Sequence, residues 1–158
     1  MFKKKTREII LDIEQLREEI EADEGNVPEI YLDHLKLPTF GIGHLIKKTD
    51  QEYGMPVGTA VSRKRINSCF NDDILGTIED CEKLYKDFYK LPEEVKLILC
   101  NMMYNLGYTR LSKFSKLKKA INDNNWEEAS KQMHQSKWRV QVPNRAERLI
   151  KRMKAVGA

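Results

Sequence analysis

The chain has 158 residues, 41% of them apolar and 33% charged, with 28 Lys and Arg against 24 Asp and Glu for a formal net charge of +4. A single domain of this length buries about 70% of its unfolded surface, so neither a disulfide scaffold nor a structural metal is needed for stability. The charge excess is too small for a protein wrapped in nucleic acid. No apolar run approaches the ~20 residues of a membrane span, so stable membrane insertion is not expected either.

The pattern predicts a first helix from about Thr6 to Glu24, where Ile9, Ile13, Leu16 and Ile20 fall at helical spacing and Gly25 follows as a stop. The charged Arg7, Glu8 and Asp12 leave no uncharged apolar core for a secretory signal. From Val27 to Leu45 the signal changes to a small, turn-rich antiparallel sheet. Pro28, Pro38, Gly41 and Gly43 exclude helix there, while Ile30, Tyr31, Leu32, Thr39, Phe40 and Ile42 favour strands. Residues 47–59 read as loop. A long helix capped by Ser62 then carries Ile66, Phe70, Ile74, Cys81 and Leu84 to about Tyr85. A third helix starts near Pro92 and stops at Gly107, and shorter helices are expected at about 112–122, 125–135 and 143–154.

Cys69, Cys81 and Cys100 sit among apolar residues with no cation or His in sequence to hold a thiolate, so they read as buried packing. His34, His44 and His134 form no metal-ligand spacing, so no metal and no cofactor are expected.

Chemistry is concentrated around the end of the first helix. Glu24 lies at the negative end of that helix, beside Asp23, and both disfavour a charge on it, as a general acid at neutral pH requires. Asp33 follows where a strand begins to turn, and Thr39 precedes the run Phe40-Gly41-Ile42-Gly43-His44. Two carboxylates on separate elements, one pushed neutral and one ionised, form the pair used in glycoside hydrolysis. Spacing alone leaves the ordinary alternative open: a glutamate at a helix end is usually a solvated surface group.

The run Asp23-Glu24-Gly25, then Ile30-Tyr31, Asp33 and Thr39-Phe40-Gly41-Ile42-Gly43-His44-Leu45, resembles the active-site region of the phage-type lysozymes, the muramidases typified by the T-even bacteriophage enzyme (glycoside hydrolase family 24). Asn125-Trp126-Glu127-Glu128-Ala129, Ser136-Lys137-Trp138 and Pro143-Asn144-Arg145-Ala146-Glu147-Arg148 resemble the same family, in the same order. The resemblance covers nearly the whole chain after about residue 15.

It implies an α+β, mainly α, lysozyme-like fold in a single domain. A β-containing N-terminal lobe spans about 15–60, a connecting helix about 62–85, and a larger helical lobe about 86–158 plus the first helix, with the substrate cleft between the lobes. The implied activity is endo-acting, inverting cleavage of the β-1,4 bond between N-acetylmuramic acid and N-acetylglucosamine in peptidoglycan. Glu24 matches the general acid, Asp33 the carboxylate that assists water, and Thr39 the hydroxyl that positions it. Leu45, Tyr104 and Gln132 match substrate-binding positions, although an ordinary surface role for Tyr104 and Gln132 is equally open. Leu117 replaces a hydroxylated residue of the type enzyme. Arg145 matches an arginine close to the catalytic acid. His44 reads as the partner of Asp72 or Asp73 on the long helix rather than as a base.

Trp126 and Trp138 read as core rather than as sugar platforms. The basic residues Arg110, Lys113, Lys116, Lys118 and Lys119, with Arg148, Lys151, Arg152 and Lys154, form a solvated face or attract an anionic wall. Without a secretory signal the protein is expected to accumulate in the host cytoplasm, as a monomer, and to reach the wall through a partner that is holin-like by family analogy. Residues 1–14 extend the first helix or form a docking segment. Two other classes remain: an inactive peptidoglycan- or chitin-binding module, and a structural particle component.

Overall fold

The computed structural model describes residues 11–158. These form two compact units, one of Arg17–Gly76 and one of the described residues up to Leu16 together with Thr77–Ala158. The boundaries fall inside two helices, α1 (Ile13–Glu24) and α2 (Arg63–Leu84).

Helix α1 begins later than its periodicity predicts, and the expected turn before Leu11 lies outside the described residues. The cause is Asp12, whose carboxylate accepts the Gln15 N–H at 3.1 Å and caps the helix there. In the smaller unit, β1 (Val27–Leu32), β2 (Pro38–Gly41) and β3 (His44–Leu45) make an antiparallel sheet in that order. Tyr31 stands opposite Thr39, and Thr39 opposite Leu45, so these three form one row across the sheet. The predicted loop does more than connect. Val61 N–H donates to the Pro28 carbonyl at 2.9 Å and Ile30 N–H to Thr59 at 2.9 Å, which closes the outer edge of β1. Ser62 caps α2 by accepting the Arg65 N–H at 3.1 Å. Gly41 permits close approach of β2 to that helix, because a Cβ there would sit 2.8 Å from Ile66 Cγ2.

The larger unit is helical. Helix α3 (Glu93–Leu106) is buried continuously from Val95 to Met103, as a central helix must be. Even Lys96 is enclosed there, and its Nζ donates to the Tyr89 carbonyl at 3.2 Å. Gly107 stops α3, but a short α4 (Tyr108–Leu111) follows at once. The helix expected from Ser112 starts instead at α5 (Ser115–Asn122), because Ser112 folds its hydroxyl onto the Thr109 carbonyl and Phe114 leaves helical geometry at ψ 67. Asn125 caps α6 (Trp126–His134), and Ser136 caps α7 (Lys137–Gln141), a short helix the periodicity does not reveal. Helix α8 (Pro143–Val156) packs on α3, α6 and α7.

Trp138 is core, with its Nε1–H donated to Asn105 Oδ1 at 2.8 Å, while Trp126 is half-buried. All three cysteines are buried as reduced thiols. Burial, and then a hydrogen bond with Cys100, push the Cys81 thiol well above its usual pKa.

Candidate active site

The smaller unit gathers Glu24, Asp33, Thr39, His44 and Leu45. Glu24 ends α1, and Gly25 at φ 77 turns the chain out of the helix while its N–H still bonds to Glu21. Gly43, at φ 63, lets the β2–β3 turn pass directly against the carboxylate, since a Cβ there would lie 2.6 Å from Glu24 Oε1. Gly43→Ala therefore imposes left-handed strain of about 1–2 kcal/mol. It also displaces the Glu24 carboxylate. Thermal melting of the variant against the wild type measures the strain.

Asp33 and Thr39 are tied together through one residue. Asp33 Oδ1 accepts the N–H groups of Leu35 at 2.8 Å and Leu37 at 2.9 Å. The Leu37 carbonyl in turn accepts the Asp33 N–H at 3.0 Å and the Thr39 hydroxyl at 2.9 Å. The Leu37 carbonyl can only accept, so the Thr39 proton is committed and its oxygen lone pairs are presented instead. Thr39 is 3% exposed, and Leu45 beside it in the row is 47% exposed. Tyr31 completes the row. Burial, then the negative charges of Glu24 and Asp33, raise the Tyr31 phenol pKa, which places the ring close to both carboxylates. The pattern assigned Tyr31 only to a strand. The signal that it shares the face of Thr39 is the strand register, which a sequence does not display.

His44 is 5% exposed and lies against Phe40, ring centroids 4.9 Å apart. Its Nδ1 is 2.6 Å from Asp73 Oδ2, the second of the two acids considered on the long helix. Its Nε2 is 2.8 Å from Asp50 Oδ2, a partner that sequence reasoning missed. Arg65 extends the cluster, donating to Asp50 at 3.2 Å and to Glu52 at 2.9 and 3.0 Å. Burial disfavours charge on His44, but the hydrogen bonds and charges of Asp73 and Asp50 outweigh it and raise the pKa. With both ring nitrogens engaged by carboxylates, the geometry favours the charged imidazolium and leaves neither nitrogen open.

Tyr104, Gln132 and Arg145 belong to the larger unit. Arg145 is buried, and its Nε donates to Asn101 Oδ1 at 2.7 Å. Gln132 is half-buried and donates through Nε2 to Glu128 at 2.6 Å. It lines a cavity of about 580 Å³ with Leu117, Phe114 and Trp138; Tyr104 is not among the lining residues.

The sequence model of the family described as phage lysozyme matches residues 21–155. Among curated proteins, the chain is similar to "Probable T4-type lysozyme 2" of Dictyostelium discoideum, 30% identical over 87% of this chain and 92% of the relative. "Probable T4-type lysozyme 1" of the same organism is 26% identical over the same shares. The "Pre-baseplate central spike protein Gp5" of Enterobacteria phage T4 is 25% identical over 85% of this chain, but over only 26% of its own length.

Proposed function

The chain belongs to the phage lysozyme family and is a lysozyme-like glycoside hydrolase of peptidoglycan; from that premise we propose that it cleaves the β-1,4 bond between N-acetylmuramic acid and N-acetylglucosamine with inversion. The observation that carries the chemistry is the Leu37 peptide, which holds the Asp33 carboxylate and the Thr39 hydroxyl in one hydrogen-bonded unit. A water set between Thr39 Oγ1 and the free oxygen of Asp33 donates one proton to each acceptor. One of its two lone pairs is then aimed at the anomeric carbon. Asp33 takes the proton as the C–O bond forms, and Glu24 gives its proton to the leaving glycosidic oxygen. Leu45, exposed at the end of the row, supplies an apolar face for the sugar.

Digestion of purified peptidoglycan tests this reading. New reducing ends are expected on N-acetylmuramic acid, and the first product seen by NMR is expected as the α-anomer, because one displacement inverts the β-linkage. Initial β-anomer, or reducing ends on N-acetylglucosamine, would contradict the assignment. A second reading, a particle component, draws on the likeness to the central spike protein. Saturable binding of walls without release of soluble fragments would instead favour an inactive binding module.

A further inference from the structure

Exposed apolar side chains are concentrated in one place on the smaller unit. Leu32, Leu35, Leu37, Tyr53, Met55 and Val57 are 41–60% exposed there, while the core takes Ile30 and Phe40 from the same strands. Strand register brings their segments to one end of the sheet. Leu32 ends β1 opposite Pro38 at the start of β2, and the turn between them carries Leu35 and Leu37. Ile46 N–H donates to the Pro38 carbonyl at 3.0 Å, which sets Lys47 and Lys48 beside the same end. Across the other edge of β1, Glu29 pairs with Ala60, and Gly58 N–H donates to the Ile30 carbonyl at 2.8 Å. Continued along β1, that antiparallel pairing sets Val57 next to Leu32.

The charges around this apolar set have one sign. Lys36, Lys47 and Lys48 are exposed, and none is in an ion pair with a described residue. Residues 34–37, 46–48 and 53–57 contain no acid. The acids that flank them are engaged: Asp50 and Glu52 hold His44 and Arg65, and Asp33 Oδ1 accepts the N–H groups of Leu35 and Leu37. Glu29, whose carboxylate passes beside Gly58, marks the margin. Both apolar segments include tight turns, closed by Asp33 N–H on the Leu37 carbonyl and by Thr59 N–H on the Pro56 carbonyl. At such exposure they project instead of enclosing a partner.

Projecting apolar side chains interleaved with lysines suit a deformable layer that offers both hydrocarbon and negative charge. Lysine stems lie along the apolar part while their ammonium groups reach phosphates. A wall glycan presents hydroxyl and amide groups, for which these six side chains supply almost no hydrogen-bonding partner.

We propose that this end of the sheet docks on an anionic lipid surface. Leu32, Leu35, Leu37 and Val57 enter the boundary between headgroups and acyl chains, and Lys36, Lys47 and Lys48 meet lipid phosphates. The contact is shallow and reversible, since no helix among the described residues is long and apolar enough to cross a membrane. Docking goes beyond the hydrolytic reading and does not depend on it.

Sedimentation of the full chain with sucrose-loaded vesicles tests it. Vesicles of phosphatidylethanolamine with phosphatidylglycerol are compared with vesicles of phosphatidylcholine alone. Binding to the anionic vesicles is expected to be at least tenfold tighter at low salt, with the preference shrinking at high salt. Leu35→Ser/Val57→Ser is set against Leu75→Ser/Val140→Ser, which changes the same two residue types at exposed positions outside the patch. The patch pair is expected to lower partitioning at least tenfold and the outside pair less than threefold. Lys36→Gln/Lys48→Gln is expected to lower it at least tenfold on anionic vesicles, against less than threefold for the exposed pair Lys118→Gln/Lys151→Gln.

Absence of binding to anionic vesicles, equal binding to both vesicle types, or equal losses from patch and outside pairs would overturn the proposal. Self-association in sedimentation velocity that Leu35→Ser/Val57→Ser removes would overturn it too, by assigning the patch to a second copy of the chain. Failure of the hydrolytic reading shows separately, as absence of fragment release from walls, because vesicle binding is measured without them.

Discussion

Glu24→Gln is expected to reduce wall hydrolysis by about 10²–10⁴-fold or more, with a native circular dichroism spectrum and nearly unchanged melting. The amide keeps the shape of the side chain against Gly43, so the β2–β3 turn has no reason to move. It lacks a proton that can be given to the glycosidic oxygen, and that step has no substitute among the neighbours. The Tyr31 phenol nearby has its pKa raised further from neutrality, which makes it a poor replacement acid. Turbidity clearance of purified walls measures the loss. Clearance at the wild-type rate would remove Glu24 from the mechanism.

The second large effect concerns stability. His44→Gln leaves Asp50 and Asp73 facing each other without the cation that joins them, and removing one partner of a buried ion pair costs about 3 kcal/mol. That corresponds to about 6–12 °C in melting temperature for a chain of this size. The sign of the pH dependence follows from the shifts. The His44 pKa is raised above its unfolded value of about 6.5, so its contribution is complete below that pH and is lost as pH rises through the folded value. The Asp50 pKa is lowered: burial opposes its charge, but the Lys47 N–H, His44 and Arg65 prevail. The Glu52 pKa is lowered chiefly by its hydrogen bond with Arg65. These two contributions are present above about pH 4 and disappear as pH falls through the depressed values.

The gap between wild type and His44→Gln is therefore widest between about pH 4.5 and 6.5 and narrows on the alkaline side. Melting curves across pH 4 to 10 record it. A gap that widened with rising pH would contradict the charged state assigned to His44.

Strong local chemistry was readable before any fold. Ser62, Asn125 and Gly107 act at helix ends as their residue types require, and Pro28, Pro38, Gly41 and Gly43 exclude helix from the region that forms the sheet. The acids near the end of α1 were visible because a carboxylate beside a helix stop and a turn is a chemical pattern, and the family resemblance named their roles. Less legible were the breaks at Ser112–Phe114 and the short α7, since four or five residues carry too little periodicity to register.

The sequence by itself determined the helical majority, the place of the small sheet, the family, and Glu24, Asp33 and Thr39 as the residues to examine. Tertiary structure decided what long-range proximity alone can decide. Asp50 became the second clamp on His44, the Leu37 peptide linked Asp33 to Thr39, and Tyr31 joined the row of Thr39 and Leu45. It also turned part of a basic face into a lined cavity, since Arg110, Lys113, Lys116 and Lys137 lie on separate short elements. Local propensity acts over a few residues, whereas charge pairing, strand register and cavity walls depend on distances that only the folded chain sets.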